Sequence, residues 1–316
     1  MKIISTTLFG LESLVREDLT RAGYSYENIK VSDGVVTLDA GDDTWEEDVA
    51  RVNMWVRRAE RVFFEVGSFP ASAFEEFFDK ANALPWNDFI PKGYAITVNG
   101  YSRKSKLYGI SALQSLSKKA IIRSLLASRG LPENGIISED KNIGEVRIQF
   151  GIVEDNVRFM IDTSGDGLHK RGYRPLTHEA PIRETLASAM VSLSRFRPFL
   201  IEAALMATGR APGRDRHFSY EDLPYIGSYA HKKAREEALD LEDMTPPDDL
   251  FLFGSDIDRN AVESAKRNAE TAGVSGFIKF GVADAETRTP SALTSVTGFD
   301  RQLILTNPPY GGRLMT

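Results

Sequence analysis

The run with the most specific chemistry is Thr306-Asn307-Pro308-Pro309-Tyr310-Gly311. It directly follows an apolar stretch, Gln302–Leu305, whose residues read as a strand. The motif therefore stands at a strand's carboxyl end, where open α/β sheets take their ligands. The two prolines fix their own φ angles and remove two backbone donors. What remains presents acceptors, namely the side-chain oxygen of Asn307 and the carbonyl of Pro308, with the ring of Tyr310 as a flat surface beside them. That set suits an exocyclic amine on a nucleobase. Such a nitrogen is a weak nucleophile, because its lone pair is delocalised into the ring. Two acceptors on its two N–H groups orient it and favour a pyramidal geometry. A ring stacked on the base contributes about 1–3 kcal/mol. Holding the nitrogen in line with an electrophilic carbon at about 3–3.5 Å is the larger effect.

Several elements must hold this corner in place. Leu250–Ser255 is an apolar strand of the buried, parallel type. Asp256 and Ile257 follow it, and Asp258 can cap a helix that runs to Ala272 and stops at Gly273. Phe277–Val282 is a further strand, followed by Asp284 and Ala285. Two helices, Ile182–Leu193 and Leu200–Thr208, come before. Alternating strands and helices imply a doubly wound α/β domain. The first half of the chain has a different rhythm. Lys2–Thr7 reads as a strand and Leu11–Ala22 as an amphipathic helix stopped by Gly23. Tyr26–Val31 and Val35–Ala40 read as a hairpin turned at Ser32-Asp33-Gly34. Helix Asp42–Val52, strand Arg58–Val66 and helix Ala71–Ala81 complete an α+β unit on a split βαβ plan. Strand Tyr94–Tyr101, helix Ile110–Ser128 and a hairpin of Val146–Ile152 with Val157–Asp162 make up the middle third. Ser164–His178, with three glycines and a proline, reads as a linker.

The chain has 316 residues, no cysteine and four histidines that are far apart in sequence. Disulfides and thiolate metal sites are excluded, and no metal is expected. No apolar run approaches the ~20 residues that span a bilayer. The amino terminus has no apolar signal region, so a cytoplasmic location without a membrane partner is expected. The net charge of -6 opposes a nucleic-acid partner, but its distribution favours one. No acidic residue occurs between Asp88 and Glu133, a stretch holding Arg103, Lys104, Lys106, Lys118, Lys119 and Arg123. Screening limits the reach of distant acids to about 8 Å at physiological salt, so a basic face can bind phosphate locally. Lys170, Arg171 and Arg174, with His169, form a second basic group in the linker.

These motifs carry a family resemblance. "TNPPYG" resembles the motif of amino-group methyltransferases that use S-adenosylmethionine, the N6-adenine DNA methylases among them. "LHKRGYRPLTHEAPIRETLASAMVSLS" (Leu168–Ser194) and "LIEAALMATGRAPG" (Leu200–Gly213) are similar to the lead-in and first helix of the catalytic domain in RNA methylases that carry a THUMP domain. The resemblance implies three domains: a ferredoxin-like one over 1–55, a THUMP RNA-binding domain over 56–163, and a Rossmann-like methyltransferase over 164–316. It also implies an activity, methylation of ribosomal RNA at guanine N2. By the same resemblance Asn307, Pro308, Pro309 and Tyr310 form the catalytic corner, and Asn307 also borders the cofactor. Asp256 would take the ribose hydroxyls and Ile257 would lie beside the adenine. Asp284, with Ala285 next to it, would accept from the adenine amino group, and Glu184 and Thr185 would border the cofactor pocket. One departure stands out. The family carries a glycine-rich loop, roughly D-P-x-C-G-S-G-T, before the "LIEAAL" helix. Here Phe199 runs straight into Leu200, and the chain ends shortly after the motif. We expect the protein itself to possess that loop and further strands. The alternatives are a DNA adenine-N6 methyltransferase and a non-catalytic RNA-binding protein with a degenerate cofactor site.

Overall fold

Lys2–Thr6 forms β1, in which the consecutive residues Ile3, Ile4 and Ser5 are all buried. Burial on successive residues means that both faces of the strand are covered. β1 sits between two antiparallel neighbours. After helix α1 (Glu12–Arg21) come β2 (Ile29–Ser32) and β3 (Val35–Asp39), then α2 (Trp45–Trp55) and β4 (Arg61–Pro70). Leu14, Val15 and Leu19 form the buried stripe of α1. The strand order β2-β3-β1-β4, antiparallel throughout, is a ferredoxin-like arrangement. The expected strand from Tyr26 is shorter than its sequence suggests, because Tyr26–Asn28 winds into a 3-10 turn before β2. These observations come from a computed structural model that describes residues 1–174, 182–193, 200–245, 250–284, 287, 289 and 294–295.

Helices α3 (Phe74–Asn82) and α4 (Trp86–Phe89) lead to β5 (Gly93–Arg103), α5 (Ile110–Ser128), β6 (Glu139–Val153) and β7 (Asn156–Asp162). β7 pairs with β4 and β6, and β6 runs parallel to β5 across the α5 crossover. One seven-stranded sheet results, in the order β2-β3-β1-β4-β7-β6-β5. Val146, Ile148, Phe150 and Ile152 bury every second side chain of β6, the period-2 signature of a strand. Among them Phe150 packs against Phe77 of α3 and Phe159 of β7, each at 6.2 Å. Trp86 is fully buried, lies edge-on to Phe159 at 5.3 Å and donates from its indole N–H to the Ala81 carbonyl at 2.7 Å. Gly100 on β5 faces the Phe150 ring, and a Cβ there would stand 2.5 Å from ring atoms. A side chain at 100 would displace a core phenylalanine.

The chain forms two compact units: Met1–Leu168 together with His217–Glu237, and His169–Arg216 together with the described residues from Ala238 onward. The first residues of the expected linker are not solvent-exposed. Ser164 and Gly165 are buried, as is Thr163 just before them. Ser164 Oγ accepts from the Val62 N–H and donates to Asn53 Oδ1, each at 2.8 Å. In the second unit α6 (Glu184–Leu193) and α7 (Leu200–Ala207) come first. Helix α8 (Gly227–Asp240) then begins within the segment that packs in the first unit. Arg51 of α2 clasps Glu237 of α8 through two nitrogens, at 2.9 and 2.6 Å. This helix is missed in the sequence, because its inward residues Ala230, Ala234 and Ala238 are too small to make a strong apolar stripe.

The second unit then continues with β8 (Leu252–Asp256), α9 (Arg259–Thr271) and β9 (Ile278–Val282). β8 and β9 pair in parallel from Leu252↔Ile278 to Asp256↔Val282. A parallel pair needs a crossover, and α9 supplies it. Asp258 caps α9 by accepting from the Asn260 N–H at 2.8 Å. Gly273 ends it at φ +70°, a conformation that side chains rarely adopt. Ala203, Ala204 and Leu205 of α7 pack with Leu252, Ala269, Val274 and Ile278 to form this unit's core. The expected strand Gln302–Leu305 lies outside the described residues.

Candidate active site

The carboxyl ends of β8 and β9 are neighbours, and each carries an acid. Asp256 is the last residue of β8, and its Oδ1 accepts from the Asp258 N–H at 2.9 Å. That bond fixes the carboxylate at the strand end while leaving the residue exposed. Its carbonyl accepts from the Ala283 N–H at 2.9 Å, which ties the two strand ends together. Asp284, also exposed, follows one residue later. Its carbonyl accepts from the Thr287 N–H at 3.1 Å and from the Thr287 hydroxyl at 2.7 Å. Between the acids in sequence stands Ile257, a large apolar side chain left 70% exposed. Two carboxylate acceptors beside an exposed apolar surface can receive the hydroxyls and amino group of a nucleoside and cover its base.

A second group gathers around α6 and α7. Glu184, the first residue of α6, is buried and pairs with Arg174 at 2.9 Å. Arg174 also donates to the Ile182 carbonyl at 3.1 Å. Burial pushes the Glu184 carboxyl up, against the pull of the Arg174 guanidinium. Thr185 is buried, and its carbonyl accepts from Ser188 Oγ. Glu202 of α7, which the sequence reading passed over, is equally buried. It accepts from the Tyr173 hydroxyl at 3.0 Å and lies 3.6 Å from Arg171 Nε. Burial, and then the Glu202 charge, push the Tyr173 phenol well above its ordinary value. A buried acid in the apolar "LIEAAL" run was the available signal. His169, Lys170, Arg171, Arg174, Ile182, Arg183 and Glu184 line a cavity of about 430 Å³. Asn307, Pro308, Pro309 and Tyr310 lie outside the described residues, as does Ala285.

The acid-free stretch of the sequence acquires acids in space. Lys118 binds Glu139 and the Ile96 carbonyl at 3.0 and 3.1 Å. Arg123 meets Glu133 at 3.2 Å, and Arg103 lies 3.8 Å from Asp33. Lys104 stands 4.0 Å from Glu154. Lys119 is exposed on α5, and Lys106 is exposed in the loop before it.

A parallel β–α–β unit with acids at its strand ends, in one chain with a ferredoxin-like unit, is Rossmann-like. Residues 171–316 match the family described as RMKL-like, methyltransferase domain, and residues 2–63 match the RlmL ferredoxin-like domain. The chain is 36% identical, over 99% of its length, to a Bacillus subtilis protein named "Putative RNA methyltransferase YpsC", of which it covers 80%. It is 31% identical to the Vibrio campbellii "Ribosomal RNA large subunit methyltransferase K/L", again over 99% of its own length but only 44% of that protein. Among solved structures, one described as a predicted N6-adenine-specific DNA methylase from Listeria monocytogenes superposes with a TM-score of 0.82 at 35% identity, covering 91% of this chain and 76% of that one. SMU.472, described as a putative methyltransferase complexed with SAH, gives 0.82 at 32% identity over 100% and 82% of the two chains. The chain belongs to the RMKL-like methyltransferase family.

Proposed function

We propose that this methyltransferase acts on RNA and methylates an exocyclic base amine, guanine N2 of large-subunit ribosomal RNA being the target. The observation that carries the reading is the pair of exposed carboxylates, Asp256 and Asp284, at adjoining parallel strand ends, in a chain that also bears "TNPPYG". S-adenosylmethionine is the methyl donor and supplies an electrophilic sulfonium methyl when bound. The residues present fit it. Asp256 takes the ribose hydroxyls, Ile257 covers one face of the adenine, and Asp284 with Ala285 accepts from its amino group. Glu184 and Thr185 border the same pocket. Asn307 and the Pro308 carbonyl accept from the two N–H groups of the target amine, Pro309 stiffens the corner, and Tyr310 stacks on the base. The target base has to leave its stack to reach this corner.

In this reading a ferredoxin-like domain, expected over 1–55 and extended through β4, precedes a THUMP-type RNA-binding domain, expected over 56–163, and 164–316 carries the chemistry. Arg103, Lys104, Lys106, Lys118, Lys119 and Arg123, together with Lys170 and Arg174, supply the cations for the RNA backbone; Arg171, expected among them, is buried against Glu202 instead. The Bacillus and Vibrio relatives, whose names specify RNA and ribosomal RNA, support this assignment, and the place of action it implies is the cytoplasm. The test is mass mapping of modified bases in large-subunit ribosomal RNA from cells lacking the protein. Loss of one methylated guanine is expected, and an unchanged map sinks the ribosomal reading. The Listeria relative's description favours a second reading, adenine-N6 methylation of DNA. Transfer of labelled methyl to duplex DNA but not to ribosomal RNA would select it.

A further inference from the structure

The segment between β5 and α5 presents a feature that the backbone-grip reading does not use. Leu107 is fully buried and anchors the loop. The loop is further pinned from below by one carboxylate. Asp155 Oδ1 accepts from the Ser105 hydroxyl at 2.7 Å and from the Lys106 N–H at 2.8 Å. Leu107 N–H donates to Ser105 Oγ at 3.0 Å, and Glu154 N–H donates to the Arg103 carbonyl at 3.2 Å. Lys104 is held at φ +51°, outside the region that lysine ordinarily adopts. A backbone fixed to this degree sets where its outward side chains point. Those are Lys104, Lys106 and Tyr108. Tyr108 is 76% exposed, a large aromatic surface left in water between cations. Exposed Ser111, Ala112 and Ser115 continue from it along α5 to exposed Lys119. At 1.5 Å per residue the helical run from Ser111 to Lys119 is about 12 Å long. No side chain larger than serine interrupts that exposed line.

We propose that this loop and the outer face of α5 form a platform for single-stranded RNA, with Tyr108 stacking on an unpaired base and Lys104, Lys106 and Lys119 holding flanking phosphates. The inference rests on the RNA reading above and narrows it. A base inside a duplex has both faces covered by its neighbours, so a protein ring can stack only on an unpaired one. Aromatic stacking beside a basic track is the general means of holding single strands. The cations alone would not distinguish a duplex from a single strand.

The test titrates the full chain with a fluorescein-labelled, mixed-sequence single-stranded oligoribonucleotide, and with its duplex, at several salt concentrations. Tyr108→Ala is expected to weaken single-strand binding about tenfold without changing its salt dependence or the melting temperature. Tyr108→Phe keeps the ring and is expected to bind like wild type. Lys104→Ala and Lys106→Ala are each expected to flatten the plot of log Kd against log salt by about 0.7. Duplex binding is expected to ignore Tyr108→Ala. Unchanged single-strand binding by Tyr108→Ala, or an equal loss for both RNA forms, overturns this inference alone. A wild-type protein that binds no RNA overturns it together with the reading it rests on.

Discussion

Asp256, the last residue of β8, and Asn307, in the "TNPPYG" run, are assigned different work in the proposed mechanism. If Asp256 holds the donor as proposed, it does so in the ground state and the transition state alike, and its removal should weaken binding without slowing the bound complex. The role proposed for Asn307 is to act on the amine as it becomes a nucleophile. Asp256→Ala is therefore expected to raise the cofactor Kd at least tenfold, by calorimetry, while single-turnover rates at saturating cofactor change little. Asn307→Ala is expected to leave that Kd in place and lower the single-turnover rate by about 10²–10³, the usual effect of losing one aimed hydrogen-bonding group. Equal effects on Kd and rate in both variants would refute the division. A different residue-scale expectation concerns Tyr225. Its ring packs against Trp45, Phe64 and Phe89 at 6.3, 6.3 and 5.9 Å, yet its buried hydroxyl has no hydrogen-bond partner among the described residues. Tyr225→Phe removes an unsatisfied polar atom and should leave the melting temperature equal or higher. Tyr225→Ala removes the ring and should cost roughly 2 kcal/mol or more in denaturant titrations.

The parallel β5–β6 pair is the element on which the proposed RNA platform stands, and Glu145 secures its register. Its Oε1 accepts from the Thr97 hydroxyl across the pair at 2.6 Å, and its Oε2 from Arg147 Nε at 2.7 Å. The Thr97 hydrogen bond, then that from Arg147, bring its carboxyl down to about 2. A carboxylate lowered by folding stabilises the fold above its unfolded value, near 4.5, and the contribution is lost as pH falls toward 2. Wild type should therefore melt above Glu145→Gln at neutral pH, with the difference closing between about pH 4.5 and 2. A difference that stays constant through that window would show that the carboxylate's charge is not what matters. Much of this element was visible beforehand. The alternation of Val146, Ile148, Phe150 and Ile152 marks a strand, and the acid-free run before it marks basic residues on α5. The partners were not visible. Glu133, Glu139 and Glu154 lie outside that run in sequence, and only the crossover brings them beside Arg123, Lys118 and Lys104.

At the scale of the molecule, the notable feature is that His217–Glu237 packs in the first unit although it follows α7 of the second. Arg51–Glu237, Lys233–Glu47 and the Tyr225 aromatic contacts hold it there. Replacing 217–237 by a flexible linker should expose Trp45, Phe64 and Phe89, lower the first unit's melting temperature and increase binding of an apolar dye. An unaltered melt would show that the segment is only a passenger. The sequence by itself determined the chemistry to look for, because "TNPPYG" restricts its backbone and its acceptors locally, with no help from distant residues. It also determined most element types, since apolar periods of 2 and 3.6 are properties of neighbours along the chain. α8 escaped because alanines give little hydrophobic contrast, and Glu202 because an acid in a helix ordinarily faces water. The tertiary structure alone decided which charges are neutralised, that Asp256 and Asp284 are neighbours, and that Tyr108 remains exposed. Those facts depend on strand pairing and burial, which join residues far apart in sequence.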